Sequence, residues 1–251
     1  MRRPLPALML AIALGLMPLG AGPARAEPPA CGAPPEALEA APMPGAFAAV
    51  ARGELRIMVV GSAITGGASS EASSWPQRLE AILRVRLAPV AVRVTSHGAR
   101  GSTAVDHARI IAAEAPRYRP HLIVWQLGTV EAVRGTPPEE MSDAVQDAAA
   151  RLRSTRGELT DLVLMDMQFS RFLRANAYVE PYRDQLRVAA MAGGAQLFSR
   201  WAIMKSWAET ERLDLERTPR DRRAAATDEL NDCLARALAI FVLEGVQRNR
   251  R

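Results

Sequence analysis

The chain has 251 residues, two cysteines, three histidines and a formal net charge of +5. Arg2, Arg3 and Arg25 lie in the first 26 residues and Arg248, Arg250 and Arg251 in the last four, so the body between them is close to neutral and nucleic-acid binding is not indicated. The three histidines are scattered without ligand spacing, so no metal or other cofactor is expected.

Residues 1–26 carry the marks of a secretory signal peptide: a charged start, an apolar stretch from Leu8 to Leu19 broken by Pro18, and Ala24-Arg25-Ala26 before Glu27. The apolar stretch is too short to span a membrane. Cleavage between Ala26 and Glu27 would send a mature chain of about 225 residues, one α/β domain in size, to the periplasm or outside the cell. Cys31 lies five residues past the cleavage point, which argues against a lipid-anchored form. In an oxidising compartment Cys31 and Cys233 are expected to pair. The loop they would close is long enough to contribute roughly 4–5 kcal/mol by the chain-entropy argument.

Residues 27–53 are rich in Pro, Ala and Gly and read as an N-terminal arm with a short helix near Pro44–Arg52. A regular alternation follows. Leu55–Gly61 reads as a strand, and Trp75–Leu87 as a helix with Leu79, Ile82 and Leu83 on one face. Val90–Ser96 reads as a strand, and Thr103–Ala115 as a helix stopped by Pro116. Leu122–Gly128 is a continuous apolar run suited to the centre of a parallel sheet. Pro138–Thr155 predicts a helix, Leu162–Asp166 a strand, Tyr182–Ala192 a helix ending at two glycines, and Gln196–Phe198 a short strand. Arg200–Leu215 is a mixed segment, and Asp228–Val246 is a long closing helix with Leu230, Leu234, Leu238 and Phe241 near one face. This spacing predicts a three-layer α/β/α sandwich with a central parallel sheet of about five strands, the first three of them inner ones. The domain would span residues 54–247, followed by a basic tail at 248–251.

In open α/β sheets, chemistry sits at the carboxyl ends of the strands. Three such ends carry distinctive residues: Gly61-Ser62-Ala63-Ile64-Thr65, Ser96-His97-Gly98-Ala99-Arg100-Gly101-Ser102-Thr103, and Gly128-Thr129-Val130-Glu131. In content and order, with flanks such as Trp75-Pro76-Gln77-Arg78-Leu79, these blocks resemble those of the SGNH (GDSL-type) hydrolases over about residues 55–245. The resemblance implies a flavodoxin-like sandwich and, in intact members, a serine carboxylic-ester hydrolase.

Carried over residue by residue, most of the family's functional set is missing. The nucleophile position is Ala63, which has no hydroxyl. The oxyanion-hole glycine is kept as Gly101. The Asn that would donate to the oxyanion is replaced by Val130, and the residue after it is Glu131. Aligned on Cys233, the family's Asp and His positions fall near Arg222 and Ala225, and no histidine follows His121. Losing a triad nucleophile or base costs on the order of 10⁶ in turnover, whereas the oxyanion hole and binding retain roughly 10³–10⁴ over water.

Two readings from different classes remain. The first is an exported, catalytically inactive pseudoenzyme that binds a glycan, an acyl-bearing ligand or a protein partner, for instance an intact SGNH paralogue, through the vestigial cleft. The second is an esterase whose nucleophile has moved to Ser62 with His97 as its base. A serine and a histidine within hydrogen-bond reach would favour the second. His107 and His121 are expected to be structural, Glu131 and Asp166 to cap or face solvent rather than form a glycosidase pair, and Trp125 to lie in the core. Trp201 and Trp207 are candidates for a groove.

Overall fold

The computed structural model describes residues 30–62, 70–154 and 159–249. Five parallel strands form one sheet: β1 (Glu54–Val60), β2 (Ala91–His97), β3 (Leu122–Gln126), β4 (Asp161–Met165) and β5 (Gln196–Phe198), in the order β2-β1-β3-β4-β5. The helices among the described residues are α1 (Pro44–Ala51), α2 (Trp75–Arg86), α3 (Ala104–Tyr118), α4 (Thr129–Arg134), α5 (Pro138–Ser154), α6 (Arg171–Asn176), α7 (Glu180–Gly193), α8 (Arg200–Glu209) and α9 (Arg223–Arg248).

The register assigns the helices to two layers. Trp125 is opposite Leu164, and Phe198 is opposite Met165. Successive strand residues point to opposite faces. The indole of Trp125 meets His107 of α3, and the ring of Phe198 meets Phe241 of α9 at 5.3 Å. Helix α3 with its neighbours α5 and α7 therefore covers one face, and α9 with α2 and α1 covers the other. All five β3 positions are buried, as the centre of a doubly covered sheet requires.

Three expectations are corrected. Strand β2 is an edge strand, and its first four residues alternate exposed and buried, as a strand with one covered face does. Helix α3 runs through Pro116 to Tyr118 and ends at Arg119 in the left-handed region; the proline gives up the bond its N–H would make to the Ala112 carbonyl, and the helix continues only two residues past it. The third strand stops at Gln126 because Gly128 adopts φ 92° and starts α4. Helices α4, α6 and α8 were not evident from periodicity; each is 10 residues or shorter.

The N-terminal arm is part of the folded body. Cys31 and Cys233 are disulfide-bonded, with Cα atoms 5.6 Å apart. Met43 is fully buried and its N–H donates to the Gly245 carbonyl of α9 at 3.0 Å. The Gln196 side chain accepts from the Ala41 N–H at 2.8 Å and donates to the Ala41 carbonyl at 2.9 Å. Asp161 accepts from the Ala46 N–H at 2.7 Å and so caps α1; burial pushes its carboxyl up to about 6. Among the described residues no helix is long and apolar enough to cross a membrane.

Candidate functional site

The carboxyl edge of the sheet gathers the distinctive blocks. Strand β1 ends at Val60, paired with His97, and the Gly61 N–H donates to the His97 carbonyl at 3.1 Å. The two strand ends approach so closely that a Cβ on Gly98 would lie 1.8 Å from the Gly61 carbonyl oxygen, which is why glycine stands there. Ala63 lies outside the described residues, as do the signal-peptide residues and Arg250 and Arg251. The missing hydroxyl at position 63 is a fact of the sequence.

Gly101 (φ 81°) sits in the turn after β2, and Val130 in the first turn of α4 after β3. Two side chains of α4 reach toward the turn after β2. The Glu131 carboxylate is 4 % exposed; it accepts from the Ala104 N–H at 2.6 Å through Oε1 and from the Gly128 N–H at 3.1 Å through Oε2. It thus joins the start of α3 to the turn that launches α4. Arg134 reaches back from α4 until its Nη2 is 3.2 Å from where a Cβ on Gly101 would be. Val130, in the same turn of α4 as Glu131, carries an apolar side chain with no hydrogen-bond donor.

A serine–histidine hydrogen bond exists here, between residues not proposed for the task. Ser102 Oγ is 2.8 Å from Nε2 of His107, on the turn that carries Gly101. The proton order is fixed by the partners. The Trp125 indole N–H, which can only donate, is 3.1 Å from His107 Nδ1, so Nδ1 is the acceptor and Nε2 carries the ring proton. Nε2–H then donates to Ser102 Oγ, and the serine hydroxyl donates onward to the Ala99 carbonyl at 2.6 Å. A general base needs an unprotonated nitrogen facing the hydroxyl; this imidazole presents the opposite tautomer. Burial also pushes its pKa down to about 4, against the pull of Asp106. Thr103 caps α3 beside this chain in a reciprocal box with Asp106. The Thr103-x-x-Asp106 box, flanked by Ser102 and His107, was the sequence signal that could have revealed the chain.

The pair proposed from sequence is not formed. No hydrogen bond joins Ser62 and His97 among the described residues, and the buried His97 Nε2 has no hydrogen-bond partner. His121 is 2 % exposed and its Nδ1 accepts from the Arg56 N–H at 3.0 Å, a structural role.

Asp166, just past β4, is 2 % exposed. It caps α8 by accepting from the Trp201 N–H at 2.8 Å and from the Ser199 hydroxyl at 3.1 Å. Burial pushes its carboxyl up to about 6, opposed by the Trp201 N–H and by Arg183. The adjacent Arg200 guanidinium is buried, which draws its pKa down to about 10. Glu131 and Asp166 are therefore both occupied by backbone donors and have the capping role. Trp125 and Trp207 are fully buried in the core, so Trp207 lines no groove, and Trp201 is 3 % exposed with its ring edge-on to Phe169.

The positions aligned with the family's Asp and His, Arg222 and Ala225, line a cavity of about 550 Å³ at the start of α9 together with Leu213, Asp214, Arg217 and Glu229. The loop beneath it is clamped to α6. Glu216 accepts from the Ser170 hydroxyl at 2.6 Å, the Arg171 N–H at 2.8 Å and the Phe172 N–H at 3.2 Å, and Arg171 pairs with Asp214. Burial opposes ionisation of Glu216, but these donors outweigh it and hold its pKa down.

The Non-GDSL lipase-like family matches residues 30–248. The chain belongs to this family. The match takes in the arm as well as the sheet, in line with the arm's disulfide and its packing on α9. Solved structures show the same fold. LAE5, an alpha/beta hydrolase enzyme from the metagenome of Lake Arreo, Spain, superposes with a TM-score of 0.60 at 17 % identity, covering 76 % of this chain and 96 % of its own. A catalytic mutant of Axe2, an acetylxylan esterase from Geobacillus stearothermophilus, gives 0.56 at 15 % identity over 75 % and 94 %. AlinE4, an SGNH-hydrolase family esterase, gives 0.52 at 20 % identity over 74 % and 95 %. No curated protein matches the chain.

Proposed function

We propose that this Non-GDSL lipase-like protein is an exported, non-catalytic member of the SGNH hydrolase fold, whose sheet-edge cleft binds a glycan, an acyl-bearing ligand or a protein partner instead of hydrolysing an ester. The observation that carries this reading is the replacement of the nucleophile by Ala63 in a chain with no histidine after position 121. Val130 removes the side-chain oxyanion donor as well, leaving the Gly101 turn as the remnant of the site. The signal-like leader and the disulfide support export.

One observation favours a second reading, an esterase with a relocated nucleophile: Ser102 and His107 are within hydrogen-bond distance beside Gly101. Its proton order opposes that chemistry. To take the serine proton, His107 would have to move its own proton to Nδ1, where the Trp125 N–H already points.

The test is turnover of short p-nitrophenyl esters and labelling by a fluorophosphonate probe, using the mature protein. Neither is expected, and Ala63→Ser alone should leave both absent, because nucleophile, base and oxyanion donors act as a unit. Labelling that is abolished by Ser102→Ala or Ser62→Ala would establish the esterase reading instead.

A further inference from the structure

We propose that the cavity enclosed by α6, α7 and α8 is an oxyanion-binding site that takes the carboxylate or phosphate group of a sugar-sized ligand. The cavity measures about 320 Å³ and is lined by Arg174, Glu180, Arg183, Trp201, Ala202 and Lys205. Three cations thus face one carboxylate in a space at the small end of ligand pockets. It lies on the carboxyl side of β4 and β5, where this fold class binds ligands.

Two of the three cations rest against aromatic rings. The Arg183 guanidinium lies 5.1 Å over the Trp201 ring, and that of Arg174 lies 5.8 Å over Phe169. The two rings pack edge to face at 5.1 Å, so aromatic and cationic groups form one continuous stack. Arg183 is 13 % exposed, and its buried Nε has no hydrogen-bond partner although Asp166 Oδ2 is 3.9 Å away. Arg174 has no carboxylate partner among the described residues.

Three acids lie near the cations: buried Asp166 faces Arg183 Nε at 3.9 Å, and the other two are exposed. Glu180 contacts Arg183 Nη1 at 2.9 Å but is 58 % exposed, and Glu209 contacts Lys205 at 3.4 Å while 54 % exposed. Exposed pairs of this kind contribute little and can rearrange. A ligand oxyanion seated between Arg174, Arg183 and Lys205 would gain charge-assisted hydrogen bonds in a partly desolvated pocket. The proposal does not depend on whether the chain has esterase activity.

The experiment is calorimetric titration of the mature, disulfide-bonded protein with sodium glucuronate, inorganic phosphate and glucose, at one ionic strength held with sodium chloride. Saturable one-to-one binding is expected for an anion and none for glucose. Tighter binding of glucuronate would identify the carboxylate of an acidic sugar, and tighter binding of phosphate a phosphate ester. The Arg174→Ser/Lys205→Ser double variant alters two solvent-exposed side chains and should keep its thermal midpoint while binding at least about tenfold more weakly. Absence of saturable binding by both anions, equal affinity in the double variant, or equal binding of glucose would each overturn the proposal.

Discussion

Glu131 is the residue whose replacement tests the architecture of this site most directly. Its carboxylate satisfies two buried backbone donors, the Ala104 N–H at 2.6 Å and the Gly128 N–H at 3.1 Å, and it is 4 % exposed. Glu131→Ala removes both acceptors from two N–H groups that belong to buried residues. An unsatisfied buried donor costs about 1–3 kcal/mol, so two of them set an expected loss of about 2–6 kcal/mol. A domain of this kind has only about 5–15 kcal/mol in total. At about 2–4 °C per kcal/mol, a mid-range loss of 4 kcal/mol lowers the thermal midpoint by roughly 8–16 °C. Glu131→Gln should lose less, because its amide oxygen still accepts one of the two bonds while its NH₂ turns a donor toward the other N–H. The assay is urea denaturation of the oxidised protein, monitored by circular dichroism and tryptophan fluorescence together. A Glu131→Ala variant within 1 kcal/mol of the parent, or a glutamine variant worse than the alanine one, would refute the account of this carboxylate as the clasp between the two turns.

Three further outcomes follow from the same structure. Replacing Cys31 and Cys233 together by serine should lower stability by about 5 kcal/mol, since the bond closes a span of 202 residues, and should expose the arm to proteolysis ahead of the sheet; an unchanged denaturation midpoint would contradict this. The carboxyl of Asp161 is raised from 3.8 to about 6 by burial, so the native state holds its proton more tightly than the unfolded chain. Its contribution is fully present at low pH and is lost as pH rises from about 4 through about 6, so the parent should decline relative to Asp161→Asn across that window; a pH-independent difference would count against it. His107 should remain neutral down to about pH 4 with its proton on Nε2, read by long-range ¹⁵N correlation spectra; a proton on Nδ1 would reopen the serine–histidine dyad.

The sequence by itself determined the fold class, the order of the five strands along the chain and the pairing of the two cysteines. Each of these is written in local or compositional terms: apolar runs of strand length, helical spacing between them, and an even cysteine count behind an export-like leader. It also determined what is absent from the first block, because a side chain without a hydroxyl at position 63 is missing in any fold. The edge position of β2 was not legible, because an alternating strand such as Val90–Ser96 is compatible with either a central or a flanking place until its neighbours are known. Nor were the partners of the buried polar groups. Whether His107 is a base or a donor depends on Trp125, 18 residues away on another element, and the capping role of Glu131 depends on a backbone N–H 27 residues earlier. Hydrogen bonds of this kind are set by where two elements cross, and the proton on an imidazole follows from the group opposite it; only the tertiary structure supplies that group.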